Sequence, residues 1–199
     1  VRAEWDIAVA QLGGQITSAG DSLVRRYAEP HRKYHNASHI SAVLRDARLL
    51  SDVDSPVLVL AICAHDVVYD ASPGDDERAS AAWARSALSA AGVGDSHIAH
   101  VESLVLATIT HQSADPLACI LLDADLAVLA GGRDEYDSYV RCVRAEYSLY
   151  SDDVWRSGRG RVLRSLLERP DLYQTDRGRA LWDSQARVNL QRELDSLGL

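Results

Sequence analysis

The feature that most constrains this chain is the segment VLVLAICAHDVVYD, residues 57–70. Its first eight residues are apolar on every side. Such a segment cannot lie on a surface with one face in water, so it has to be surrounded by protein. The β-branched residues allow a strand, but the length and the alanines favour a buried central helix. His65 and Asp66 stand at its end, where charge is costly unless it is partnered. Alone, the pair reads as a helix terminus, with the imidazole near the C-terminal dipole and the carboxylate turning into a loop.

A buried central helix needs helices around it, and the rest of the chain supplies them. Trp5, Ala8, Val9 and Leu12 form an apolar stripe, continued by Leu23, Val24 and Tyr27 up to Pro30, which ends the first helical region. Asn36 is placed to cap a second helix carrying Ile40, Val43, Leu44, Ala47 and Leu50. SDVDS reads as a turn, and Pro56 suits a first helical turn. Further helices are expected over about 77–90, 97–110, 117–129, 135–150, 154–168 and 177–197. Strand alternation and tight hairpin signals are missing. The chain has 199 residues and no evident linker, so the expectation is an all-α bundle forming a single domain over 1–199.

Charge and cysteines narrow the function classes. A net charge of −8 argues against a nucleic-acid footprint or an anionic membrane surface. It leaves room for a small phosphorylated substrate held by a metal or by local arginines. Cys63, Cys119 and Cys142 are far apart and read as reduced thiols. No run approaches the ~18 apolar residues of a membrane span. The start VRAEWDIAVAQL has no apolar signal-peptide core, so a soluble cytoplasmic protein is expected.

His65 and Asp66 have counterparts elsewhere. His39 lies on the apolar side of the preceding helix. Asp125 interrupts CILLDADLAVLA where a core residue is expected. One divalent cation satisfies His39, His65, Asp66 and Asp125 together and removes the penalty of isolated buried charge. Imidazole and carboxylate without thiolate suit Mn, Fe, Mg, Co, Ni or Zn.

The order His39, then His65-Asp66, then Asp125 resembles the HD superfamily of metal-dependent phosphohydrolases. RKYHNASHI, AICAHDVVYD, DERASA, LLDADLAVL, RAEY and ARVNLQREL look like one bacterial subgroup of predicted HD phosphohydrolases, from about Arg32 to Leu194. YHNxxH is also similar to the metal-binding start of cyclic-nucleotide phosphodiesterases. The resemblance implies an all-α bundle with a central metal held by His39, His65, Asp66 and Asp125. It implies a metal-activated water attacking a small phosphate ester, nucleotides included, with Asp66 also able to hold the water. By the phosphodiesterase analogy His35 protonates the leaving oxygen; a local loop-holding bond is the alternative. His111 follows a threonine as in the subgroup, which points to leaving-group assistance, phosphate binding or a second metal, against an ordinary helix-end histidine.

Arg32 and Arg144 rank first as phosphate contacts, ahead of Lys33 and Arg159, because a guanidinium forks onto phosphate. Tyr34 and Tyr69 flank the histidine motifs as pocket or core residues. Asp123 points away from Asp125 on a helix, as a partner for a ligand histidine or a surface group. The subgroup has Asn-Glu where this chain has Asp76-Glu77, and with Asp70 these acids suit a helix N-terminus. His31, His97 and His100 carry no expected role. Two other outcomes stay open: a di-iron oxygenase, which needs more histidines between His65 and Asp125, and a nucleotide-binding module without turnover. A homo-oligomer is compatible with either.

Overall fold

Helix starts follow the caps that the chain offers. Asn36 Oδ1 accepts the Ser38 N–H at 2.9 Å, and Asp115 Oδ1 accepts that of Leu117 at 2.8 Å. Ser55, Ser151 and Thr175 cap in the same way, and Pro56 and Pro116 each open a first turn. In this computed structural model, which describes residues 1–52 and 55–198, ten α-helices result: α1 Arg2–Gln11, α2 Ala19–Tyr27, α3 Ala37–Leu50, α4 Pro56–Ala64, α5 Asp75–Ala90, α6 Asp95–Ala107, α7 Pro116–Asp125, α8 Arg133–Glu146, α9 Asp152–Leu167 and α10 Asp176–Ser196. A 3₁₀ segment, Leu126–Ala130, follows α7. The described residues contain no strand, as expected for an all-α chain. The centre of the expected SDVDS turn, residues 53 and 54, lies outside the described residues.

The apolar segment at 57–64 is the central helix, α4, with α1, α3, α5, α6 and α7 packed around it. Leu60, Ala61, Cys63 and Ala64 are completely buried there. This forms the larger core, built from α1 to α7. A smaller core gathers Leu129, Tyr136, Leu163, Tyr173, Ala186 and Leu190 from the 3₁₀ segment, the last three helices and the segment before α10. Trp182 packs against both.

Three expected helices end earlier than their apolar periodicity suggests. The helix from 117 stops at Asp125, because carbonyls beyond it are taken from outside: Tyr173 donates its hydroxyl to Leu126 at 3.0 Å, and Asn189 Nδ2 donates to Leu129 at 2.9 Å. The helix at 95 stops at Ala107, where the Thr108 hydroxyl donates back to the Val105 carbonyl at 2.7 Å. The helix at 133 stops at Glu146, where Arg144 donates to the Tyr147 and Tyr150 carbonyls. These stops leave Asp125 and Glu146 at helix ends and His111 in the turn after α6. No described helix is long and apolar enough to cross a membrane, and all three cysteines are unpaired.

Candidate metal centre

Three helices deliver four donors to one point. His39 is the third residue of α3, His65 and Asp66 follow the last turn of α4, and Asp125 ends α7. His39 Nε2 lies 3.3 Å from Asp66 Oδ2 and 3.1 Å from Asp125 Oδ1. His65 Nε2 lies 3.1 Å and 3.5 Å from the same two oxygens. The two imidazole Nε2 atoms are 3.3 Å apart. Both histidines are buried, at 5% and 2% exposure.

The tautomer of His65 decides what this arrangement can hold. Its Nδ1 is 2.9 Å from the Ile62 carbonyl, which can only accept. Nδ1 therefore carries the proton, and the neutral ring turns a lone pair on Nε2 toward His39 and the carboxylates. Without a cation, the two facing nitrogens and two carboxylates need protons between them. Burial opposes protonation of His39, but bonds to Asp125 and Asp66 outweigh it and raise its pKa. Burial likewise opposes His65, whose pKa the Asp66 charge and the Asp125 bond lift well above the usual value. In turn burial pushes the carboxylates up, while His65 and His39 hold Asp66, and His111, His39 and His65 hold Asp125, well below the carboxylate range. The site attracts positive charge by its own construction. Four N and O donors without thiolate fit a divalent cation, and the donor atoms of His39, His65 and Asp125 all lie within 4.8 Å of one another.

His35 stands beside this cluster, and its anchor is a residue that the chain's periodicity did not single out. Glu146, the last residue of α8, accepts the His35 Nδ1–H on Oε2 at 2.6 Å. Its Oε1 accepts the backbone N–H groups of Lys33 at 2.7 Å, Tyr34 at 2.7 Å and His35 at 3.0 Å. Tyr69 adds its hydroxyl at 3.1 Å and stacks its ring on His35 at 4.2 Å. Burial raises the Glu146 pKa, but the bonds from His35 and the backbone hold it down at about 2. A carboxylate at a helix C-terminus opposes the dipole. That mismatch is the signal in RAEY that its partner lies elsewhere in the fold.

His111 reaches the same centre from the turn after α6, with Nε2 3.0 Å from Asp125 Oδ2. Its backbone sits at φ +51°, a conformation costly for a side chain with a Cβ. Arg169 donates to its carbonyl at 3.3 Å and helps to hold that turn.

The two leading phosphate contacts do other work. Arg32 is buried, and four of its five N–H groups go to Glu29, the carbonyls of His35 and Asp66, and the carbonyl of Val67. It ties the His35 loop to the His65-Asp66 turn and does not line the cavity described below. Arg144 bonds the Tyr147 and Tyr150 carbonyls and Asp152, closing the α8–α9 loop. A guanidinium reads as a phosphate fork in sequence, yet here backbone carbonyls fill both forks. Arg159 is paired with Glu193, and Lys33 Nζ with the Pro30 carbonyl.

Asp123 is neither at the surface nor bonded to a ligand histidine. It accepts the N–H groups of Gln174 at 2.7 Å and Thr175 at 2.8 Å, anchoring the start of α10. Asp76 accepts from the N–H groups of Asp70 and Ser72, and Glu77 from that of Gly74, as acids at a helix N-terminus do. His31 bonds the Tyr69 carbonyl. His100 pairs with Asp115, the N-cap of α7, about 15 Å along the helix from Asp125. His97 is exposed. Of the three histidines between His65 and Asp125, only His111 joins the centre.

The centre opens on a cavity of about 640 Å³. His35, His65, Asp66, His111 and Asp125 lie on one wall; Tyr139, Val143, Tyr147, Trp155 and Val162 from α8, α9 and the loop between them lie on the other. Tyr34 and Tyr69 line it as well. A second cavity of about 610 Å³ meets the cluster at His39 and Asp125. The Tyr34 and Tyr139 rings, 4.8 Å apart, border both.

No protein-family model, curated protein or solved structure matches this chain.

Proposed function

We propose that the chain is an HD-type metal-dependent phosphohydrolase acting on a small phosphate ester. The observation that carries this reading is the convergence of His39, His65, Asp66 and Asp125, with every imidazole-to-carboxylate separation between 3.1 and 3.5 Å. The bonded tautomer of His65 adds a lone pair aimed at the same point.

A divalent cation held by these four groups supplies Lewis acidity and lowers the pKa of a bound water. The chain's own residues supply the proton path. His35 holds its Nδ1 proton on Glu146, which fixes the ring and leaves Nε2 as the atom to deliver a proton. As the water oxygen bonds to phosphorus and the ester P–O bond breaks, that proton goes to the departing alcohol oxygen. His111, bonded to Asp125, steadies the carboxylate or meets a phosphoryl oxygen.

Metal analysis of the purified protein, followed by phosphate-release assays with Mn, Mg, Co and Ni in parallel, tests the proposal. We expect bound metal and metal-dependent phosphate release, both lost when His65→Ala and Asp66→Ala are combined. Unchanged release by the metal-free double variant would overturn it. Two irons per chain with an oxygen-dependent reaction would instead favour an oxygenase.

A further inference from the structure

We infer that the substrate is a phosphate monoester of an apolar alcohol, its hydrocarbon body lying against α8 and α9 while the phosphate meets the His/Asp cluster. This inference rests on the phosphohydrolase reading and names the substrate class for the same site. Hydrolysis adds water across the P–O bond and yields inorganic phosphate and the free alcohol.

The two walls of the 640 Å³ cavity differ in chemistry. The cluster wall is ionic. The facing wall is Leu129, Val143, Val154, Trp155 and Val162 with the rings of Tyr139 and Tyr147. A nucleoside body needs donors and acceptors to read its base edge and ribose, and a site without them favours an apolar one. The buried guanidinium of this wall is already engaged. Arg159 gives Nε and Nη2 to Glu193 and Nη1 to the Tyr139 hydroxyl at 3.2 Å. Asp76, at the cavity's edge, is taken by the Asp70 and Ser72 N–H groups. Arg161 is the exposed cation on the wall.

A second observation points the same way. Tyr150, Val154 and Val162 line the cavity and are also solvent-exposed, so the apolar wall runs outward to its mouth. Leu149, next in the chain to Tyr150, is 97% exposed. Large side chains left in water around an apolar cavity suit a ligand that covers them.

Gly158 gives a clean test. It lies on the cavity wall within α9, and a Cβ built there meets nothing within 4 Å. Gly158→Leu therefore grows a side chain into the cavity, and replacing a helical glycine favours the helix. The probes are n-alkyl phosphonates from methyl to octyl, with adenosine 5′-monophosphate as the polar-bodied comparison. Binding to the full chain is measured by titration calorimetry, and phosphate release from octyl phosphate is followed separately. Affinity is expected to rise roughly three- to four-fold per methylene over the first several carbons. Octyl phosphonate should bind at least tenfold tighter than the nucleotide, and Gly158→Leu should flatten the chain-length dependence with its melting temperature held or raised. Affinity independent of chain length, no detectable octyl binding, or tighter nucleotide binding overturns the inference, whatever the phosphate assay shows. Chain-length-dependent binding without phosphate release supports the ligand class and counts against the hydrolase reading alone.

Discussion

Two groups of buried charge sit on either side of the cavity, and they are built on different principles. On one side Arg159 meets Glu193 fork to fork, at 2.7 and 2.9 Å, with the Tyr136 hydroxyl adding a bond at 2.5 Å. The guanidinium keeps its proton, and the pair is closed. On the other side, two carboxylates meet two imidazoles whose Nε2 atoms face each other at 3.3 Å. An imidazolium, unlike a guanidinium, can yield its proton to a competing cation, so the charge that completes this group is exchangeable. A closed pair stabilises a fold; an exchangeable one can take a cation in place of its protons.

The comparison breaks most decisively at Asp125. Asp125→Asn keeps the shape and removes the charge shared by His39, His65 and His111, and metal affinity should fall more than ~100-fold by titration. Retained metal would make the cluster another closed network. The next effect belongs to the other side. Arg159→Met should cost about 3–5 kcal/mol in urea unfolding by stranding Glu193, and Arg159→Met with Glu193→Leu should recover most of it. Metal content should stay constant throughout. Chelation should then remove about 2–3 kcal/mol from a metal-saturated protein, roughly 5–10 °C of melting temperature. That shift should persist in the Arg159/Glu193 double variant and vanish in His65→Ala with Asp66→Ala.

The smallest effect separates Glu146 from both groups. Its folded pKa of about 2 is below the ordinary carboxylate value, so the folded state binds fewer protons than the unfolded chain. The resulting stability is present above about pH 4.5 and is lost as pH falls toward 2. Between pH 5 and 3 wild type should lose about 1–2 kcal/mol more than Glu146→Gln. Parallel stability curves would mean that the His35 loop is held without this charge.

Periodicity and caps made the helices legible, and charged residues inside apolar segments pointed to the donor set. Asn36 caps α3 as its position suggests, and α4 is central because its residues have no polar face. The arginines were not legible. Nothing local distinguishes an Arg32 that will bond the carbonyls of Asp66 and Val67 from one that will meet phosphate, because those carbonyls are brought to it from 34 and 35 residues away. Glu146 lies 111 residues from His35, and only its unfavourable place at a helix end hints at a distant partner. The 3₁₀ segment escaped because Tyr173 and Asn189, which draw out its carbonyls, belong to the last part of the chain.

The anchoring of Asp123 by the residues before α10 has a consequence for synthesis. All four cluster donors leave the ribosome by residue 125. Glu146, which fixes His35, comes later, and Gln174 and Thr175, which hold the end of α7, come later still. At ordinary translation speeds the last anchor trails the last donor by roughly 3–10 s. The nascent chain thus exposes a full set of cation donors before it has made the walls that enclose them.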